Sequence, residues 1–497
     1  MTRKKKLLLN SIVALLYQAI TLVCGFILPK FIIPHFGSAV NGLISSITQF
    51  MTIITLCECG VGAVVQSALY KPLAEKDEDA ISRIVISANS FFNRIVRLLV
   101  VYVGILCIFY PIIVKERFSI LYTVSLLGIM ALSYFVQHYL YLALRLLLNA
   151  DQVSFVQLGA HCVALIVNTL LTILLIKWNA PVHIVKLGSV VAFLIQPFAV
   201  RQYVKKHYNL NLKLTLTEEP LKQKWNGLAQ HIASVVQGNA PIAVLTIFST
   251  MESISVYSVY YLIAHGIRQI IVSLNTGVKA MLGNMLAKDE MEILNNTFST
   301  VELAFHTVVT LLFGITGILM IPFVKIYTIN FTDTEYIRPL FSILMVMGQA
   351  AYCLRIPYEM IVQAAGHYKE TQTSSIIEAM LNIVSAVVLV LAFGMEGVAI
   401  SAIVAMGYRT VYLVFYMQKN ILHRSVKYFI KHLLVDAVCI SAMLLATGWL
   451  EIDVVNYFQW GGAAVVVVAI CGGTSFLINF IFYRSEIVSA MNYFLRR

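Results

Sequence analysis

The sequence predicts an all-α polytopic membrane protein of about fourteen transmembrane helices, and three observations predict it. The first is composition: 59% of the 497 residues are hydrophobic and 12% are charged, against about 25% charged in a soluble protein. Mean hydropathy is +0.83. The second is the recurrence of apolar runs of about 18 to 30 residues, the length at which a helix crosses about 30 Å of hydrocarbon. A membrane barrel would show alternating segments of about ten residues instead. The third is an internal repeat. A long apolar pattern with a polar stripe, from Val40 to Glu78, returns more weakly from Val256 to Glu290, and both copies end in charged turns, Leu73–Glu78 and Leu286–Glu290. Leu148–Asp151 stands opposite Gln363–Gly366 at a similar offset, and Ser11 and Gln18 match Gln230 and Gln237. A shared offset kept in order is the signature of a duplicated unit.

In order, the spans are expected near 7–33, 40–69, 84–114, 119–147, 155–176, 182–204, 227–250, 255–286, 296–328, 336–364, 371–393, 397–418, 428–449 and 459–483. The first follows the basic start Arg3-Lys4-Lys5-Lys6 without a small-residue cleavage site, so it is expected to remain as an uncleaved span. The long polar connection after the sixth span divides the first twelve. The expected organisation is an N-lobe at 1–204, a cytoplasmic linker at 205–226, a C-lobe at 227–418 and two further helices in 419–497. Six spans per lobe make the lobes parallel repeats, expected to face a central cavity.

Lys and Arg set the orientation. Alternate gaps beginning with 33–40 carry about six of them, whereas both termini and the remaining loops carry about two dozen, including Lys205, Lys206, Lys213, Lys222 and Lys224. Both termini are therefore expected in the cytoplasm. The same distribution explains the net charge of +12 without nucleic acid. All eight cysteines fall in apolar segments, and Cys57-x-Cys59 has neither metal-ligand spacing nor a partner pair, so buried thiols are expected and no metal site. Nothing calls for a cofactor.

Polar groups inside spans are costly in lipid and mark protein interior or water-filled space. Asn41, Ser45, Thr48, Thr52 and Thr55 recur at steps of three and four on one face of the second span; His265, Arg268, Asn275 and Lys279 share a face of the eighth. The first set serves helix packing and cavity lining equally well; Arg268, deep in its span, favours the cavity. With Gln237, these polar residues are the expected cavity lining, and Arg268, Arg94, Arg355, Lys279, His265 and Lys30 are the expected cationic binding groups. Arg94 could equally snorkel to an interface, and Arg355 could pair with Glu359 four residues on. Glu58, Glu302, His306 and Glu359 are candidates for coupling to H+, Na+ or the membrane potential, with Glu378 and Asp436 weaker ones; Glu302 and His306, also four apart, could form a titratable pair. The excess of cations suits an anionic cargo, since guanidinium matches phosphate oxygens.

The run Leu56-Cys57-Glu58-Cys59-Gly60-Val61-Gly62, then Leu69–Ala74, and Val256–Tyr260 resemble bacterial polysaccharide-biosynthesis membrane proteins. These are the Wzx-like oligosaccharide flippases of the multidrug/oligosaccharidyl-lipid/polysaccharide (MOP) exporter superfamily. The resemblance covers nearly the whole chain, carried more by topology and order than by any one string. It implies two six-helix lobes whose central cavity opens alternately to each side of the bacterial cell membrane. It implies as cargo an undecaprenyl-diphosphate-linked oligosaccharide, with other polysaccharide-assembly proteins as partners. Many relatives carry an acidic residue in the seventh span or just after it; Asn239-Ala240-Pro241 is neutral here, with only Glu252 nearby. The competing readings are a drug or cation antiporter, which would want carboxylates to dominate the cavity, and a membrane polysaccharide polymerase or ligase. No nucleophile triad, metal set or phosphate loop appears for the latter, so the expectation is a non-enzyme.

Overall fold

The computed structural model describes residues 3–52, 56–211, 214, 228–273, 275–484 and 486; the side chains of 3–4, 56–61, 63, 228–237 and 275–277 are outside that description. Among the described residues every regular element is a helix: α1 (Arg3–Phe36), α2 (Ser38–Thr52), α3 (Leu56–Glu75), α4 (Glu78–Ile113), α5 (Ile120–His138), α6 (Leu142–Ala150), α7 (Phe155–Lys177), α8 (Val182–Phe193), α9 (Ile195–His207), α10 (Leu228–Phe248), α11 (Met251–Ser273), α12 (Asn275–Ala287), α13 (Met291–Tyr327), α14 (Pro339–Ala364), α15 (Tyr368–Met417), α16 (Lys427–Thr447) and α17 (Tyr457–Phe482). Eleven helical stretches are long and apolar enough to cross a membrane among the described residues. One of them, Tyr368–Leu422, is 55 residues long and turns back at Gly394, so it supplies two of the expected spans. The α2–α3 pair and α10 account for the other two. The protein is an all-α, multi-pass membrane protein.

Its surface shows why. Leu445, Phe458, Val465 and Ile481 on and beside α16 and α17 are exposed, as lipid contact requires and water would penalise. Local rules set the helix ends. Asp77 caps α4 by accepting from the Ala80 amide at 2.8 Å, with Glu78 and Asp79 next to the positive end of the dipole. Asn456 caps α17 through the Gln459 amide at 2.9 Å.

The repeat reappears in the backbone. Lys76 and Asp289, Gln152 and Gly366, and Asn179 and Gly394 all adopt positive φ at helix ends, each pair 213–215 residues apart. Left-handed residues terminate helices by capping their last carbonyls, so the duplication has kept three turns as well as the spans between them.

The chain packs as two compact units, Met1–Ser255 and Val256–Arg497. In the first, α1 lies along α7, α7 and α5 pack on α8, and α10 packs on α2 and α3. Buried polar contacts tie α2 to the first turns of α11 and to α10: Asn41 donates to Ser255 at 2.8 Å, and Ser46 and Thr246 share a 2.6 Å hydrogen bond. Near the start of α1, Lys6 contacts both the carboxylate and the carbonyl of Asp151 at 2.8 Å, and Tyr208 donates to the same carboxylate at 2.6 Å. In the second unit α14 is central, packed on α12, α13 and α15, while α16 and α17 pack on each other and on α13. A small apolar core of Leu319, Cys439, Met443, Val467 and Cys471 closes that second contact. Every described cysteine is a free thiol: Cys24, Cys162, Cys353, Cys439 and Cys471 are buried and Cys107 partly so, while the Cys57 and Cys59 side chains lie outside the described residues.

Candidate functional site: a cationic face of α14

Along α14, Gln349, Tyr352, Arg355, Glu359 and Gln363 follow at steps of three and four and so share one face. Around this face the second unit gathers four cations and two carboxylates. Arg268 of α11 lies over the Tyr352 ring, its guanidinium carbon 4.3 Å from the centroid, and donates to Gln349 at 3.1 Å. Arg355 lies near the same ring, at 4.7 Å. Lys279 of α12 donates to Gln363 at 2.8 Å, and Gln363 donates in turn to Glu359 at 3.2 Å.

The two carboxylates are taken by the other two cations. Arg355, 5% exposed, contacts Glu378 of α15 at 2.5 Å and Glu359 at 3.3 Å. Arg409, also on α15, lies 3.7 Å from Glu378 and donates to Ser374 and, at 3.0 Å, to the Thr371 carbonyl. Buried charges persist only when paired, and this arginine–glutamate–arginine set is paired throughout. Arg268 and Lys279 differ: among the described residues neither has a carboxylate within ion-pair distance. The Arg268 Nε, the neighbouring His265 Nδ1 and the Arg355 Nε are buried with no hydrogen-bond partner among the described residues, but only Arg355 has carboxylates beside it. The face therefore carries a positive surplus, concentrated on α11 and α12.

A second buried network links α13, α14 and α16. Glu302 accepts from Tyr358 at 2.7 Å and from Arg424, and the His432 ring lies 3.6 Å from it. His306 faces Asp436 at 2.5 Å through Nδ1 and the Tyr358 hydroxyl at 3.1 Å through Nε2.

Comparison with protein-family models and with curated proteins gives no match. Solved structures do match. A lipid II flippase, MurJ, in an inward closed conformation superposes with TM-score 0.72 at 17% identity, covering 97% of this chain and 100% of that one. An inward-facing multidrug-resistance MATE transporter of the MOP superfamily gives 0.60 at 13% identity, covering 81% of this chain and 94% of its own. The MATE multidrug transporter DinF-BH gives 0.54 at 15% identity, covering 84% and 97%. The chain has the MOP-superfamily fold.

Within this MOP fold, the structure sorts the residues expected from sequence. Arg268, Lys279, His265, Arg355 and Glu359 come together about α14, although Arg355 is held by carboxylates. Lys30 and Arg94 belong to the first unit; Arg94 is exposed near the middle of the 36-residue α4, well away from its start. Of the stripe on α2, Asn41 is buried in a helix contact, whereas Ser45, Thr48 and Thr52 keep some exposure. The Thr48 and Thr52 hydroxyls return to carbonyls four residues back, at 2.8 and 3.0 Å, a local satisfaction that needs no neighbouring helix. Gln237 and Asn275 lie on α10 and α12, but their side chains, with that of Glu58 and the whole of Thr55, are outside the described residues. Glu302 and His306 do not contact each other directly; the Tyr358 hydroxyl stands between them. Glu252 is held by Arg117, 3.0 Å from its Nε.

Sequence reasoning missed Gln349, Tyr352, Tyr358, Gln363, Arg409, Arg424 and His432. The three-and-four spacing along α14 was a usable signal. Arg424 and His432 offered none, since only folding brings α16 against α13.

Proposed function

We propose that the protein is a flippase moving a polyprenyl-diphosphate-linked oligosaccharide from the cytoplasmic to the outer leaflet of the bacterial cell membrane, for cell-surface polysaccharide assembly. The observation that carries this reading is the positive surplus on Arg268 and Lys279, held by neutral glutamines and tyrosines. Guanidinium and ammonium groups that keep donors unused suit a diphosphate, which supplies both the counter-charge and the acceptors. A cation antiporter would need the reverse balance. The likeness to the lipid II flippase supports the same reading: at 97% coverage most of α16 and α17 falls within the match.

In this reading the two six-helix halves, 1–204 and 227–418, rock about a shared substrate path while the polyprenyl tail stays in lipid. Arg268, Lys279 and His265 bind the diphosphate, and Arg355 positions α14. Asn41, Ser45, Thr48, Thr52, Gln237 and Asn275 line the path for the sugar. No covalent bond is made or broken. Both termini lie in the cytoplasm, and an inside-negative potential assists outward movement of the anionic headgroup by about 2.3 kcal/mol per charge per 100 mV.

The test uses protein in liposomes holding a labelled polyprenyl-diphosphate oligosaccharide and follows exposure of the label to an external glycosidase. Wild type should flip the label. Arg268→Ala and Lys279→Ala should each slow it about 10- to 100-fold while remaining folded, matching about 1.5–3 kcal/mol for a charge-assisted hydrogen bond. Full-speed flipping in both variants would remove the proposed site. A folded wild type that flips nothing, but exports cationic dyes, would establish the antiporter reading instead.

A further inference from the structure

The network on α13, α14 and α16 has a hydrogen-bond arrangement that can hold a proton. Glu302, His306 and Thr310 line one face of α13 at steps of four; His432 and Asp436, also four apart, line the facing side of α16. Thr310 donates to one Asp436 oxygen at 2.8 Å, leaving the other toward His306 Nδ1 at 2.5 Å. A carboxylate only accepts, so Nδ1 must carry a hydrogen. On the far side of the ring, Nε2 faces the Tyr358 oxygen at 3.1 Å. With the single hydroxyl hydrogen of Tyr358 on Glu302, 2.7 Å away, that oxygen offers His306 only a lone pair, and Nε2 carries a hydrogen as well. In that arrangement both nitrogens donate, which makes His306 an imidazolium.

The second imidazole resolves differently. His432 stacks on His306, centroids 4.8 Å apart, and its Nε2 points to Glu302 at 3.6 Å. Its Nδ1 is 2.7 Å from the Tyr483 hydroxyl, which can donate, so His432 is satisfied as a neutral ring. Arg424 balances Glu302 and is anchored by Ser299 at 3.2 Å. Beyond these, Lys431 and Glu486 pair at 3.6 Å, with Lys431 4.2 Å from the Tyr483 centroid, where the chain of groups reaches the surface. Two carboxylates, one guanidinium and one imidazolium leave the buried cluster neutral. Glu302 and His306 are 0% and 1% exposed, so losing the proton would strand a negative charge away from water.

We propose that this cluster is a proton-binding site, with His306 holding one proton between Asp436 and Tyr358 and thereby fastening α16 to α13 and α14. Release of that proton removes the donor from one of the two carboxylates and weakens the seating of α16. A protein that moves cargo across a membrane gains a coupling site by this means; that use rests on the transporter reading, whereas the bound proton does not.

The test needs no cargo. Full-length protein labelled with ¹⁵N-histidine, in lipid nanodiscs at pH 7.5, should show a ring with both nitrogens protonated that His306→Gln removes. In Asp436→Asn the imidazolium signal should be lost, because the remaining amide no longer favours the charged ring. A wild-type His306 with one bare nitrogen at that pH would overturn the site, whatever the flipping assay gives. Should the variants fail to fold, a wild-type spectrum without any imidazolium ring still overturns the site. For the coupling role, wild-type flipping should depend on pH and His306→Gln flipping should not; identical pH profiles would overturn it.

Discussion

Asp151 shows how one carboxylate ties together the start of α1, the turn after α6 and the segment after α9, through Lys6 and Tyr208. At side-chain exposures of 20% and 32% the ion pair is only partly screened. Asp151→Ala should lower stability by about 1–3 kcal/mol, because it leaves Tyr208 without that acceptor and Lys6 with only the backbone carbonyl; a thermal-shift assay in detergent checks this. Burial, then the Asp151 carboxylate, raise the Tyr208 phenol pKa above its ordinary 10. A raised pKa means the bond's contribution is complete below pH 10 and fades as pH rises toward the folded value. Wild type should therefore lose stability above pH 10 by more than Tyr208→Phe does. The arginines about α14 separate by the same logic. Arg355→Gln removes the cation that Glu359 and Glu378 share, leaving Glu378 to Arg409, and should cost about 3–5 kcal/mol and most folded protein. Arg268→Gln removes no carboxylate's partner and should leave the melting temperature within a few degrees of wild type, measured side by side.

At the scale of the element, Gly394 decides whether Tyr368–Met417 is one rod or two spans. Its φ of 58° and ψ of −134° lie where a side chain is strained, and a Cβ on Gly397 would collide with the Leu389 carbonyl across the turn. Gly394→Ala should therefore cost about 1–3 kcal/mol and reduce monodisperse protein in fluorescence-detected gel filtration. Gly472→Ala, where a Cβ meets nothing within 4 Å, should be neutral or slightly stabilising in the same assay. Equal losses in the two variants would refute the strained turn. The shared face of α14 was legible in the sequence as spacing, and so were the helix-ending polar turns that recur across the repeat. What spacing could not say is which charges on a face are already spent. Arg355 and Arg268 read alike in the string, and only the approach of Glu378 from α15 tells them apart.

For the whole molecule, the Lys and Arg bias predicts a testable topology. Cysteines introduced at Lys76 and Lys288 should react with an impermeant maleimide only after the cells are opened, and those at Glu116 and Asn330 in intact cells. The reverse pattern would invert the orientation and the proposed direction of transport. The membrane class, the fourteen spans and the duplication were determined by the sequence alone, because hydrocarbon thickness and backbone hydrogen bonding act on any stretch of chain regardless of its neighbours. Tertiary structure decided the electrostatics. Glu302 and His306 are adjacent on a helix in sequence, yet their partners come from α14, α16 and the turn before α16, more than fifty residues away in each case. A charge in a low-dielectric interior is defined by whatever approaches within a few ångströms, and that is settled by packing rather than by order along the chain.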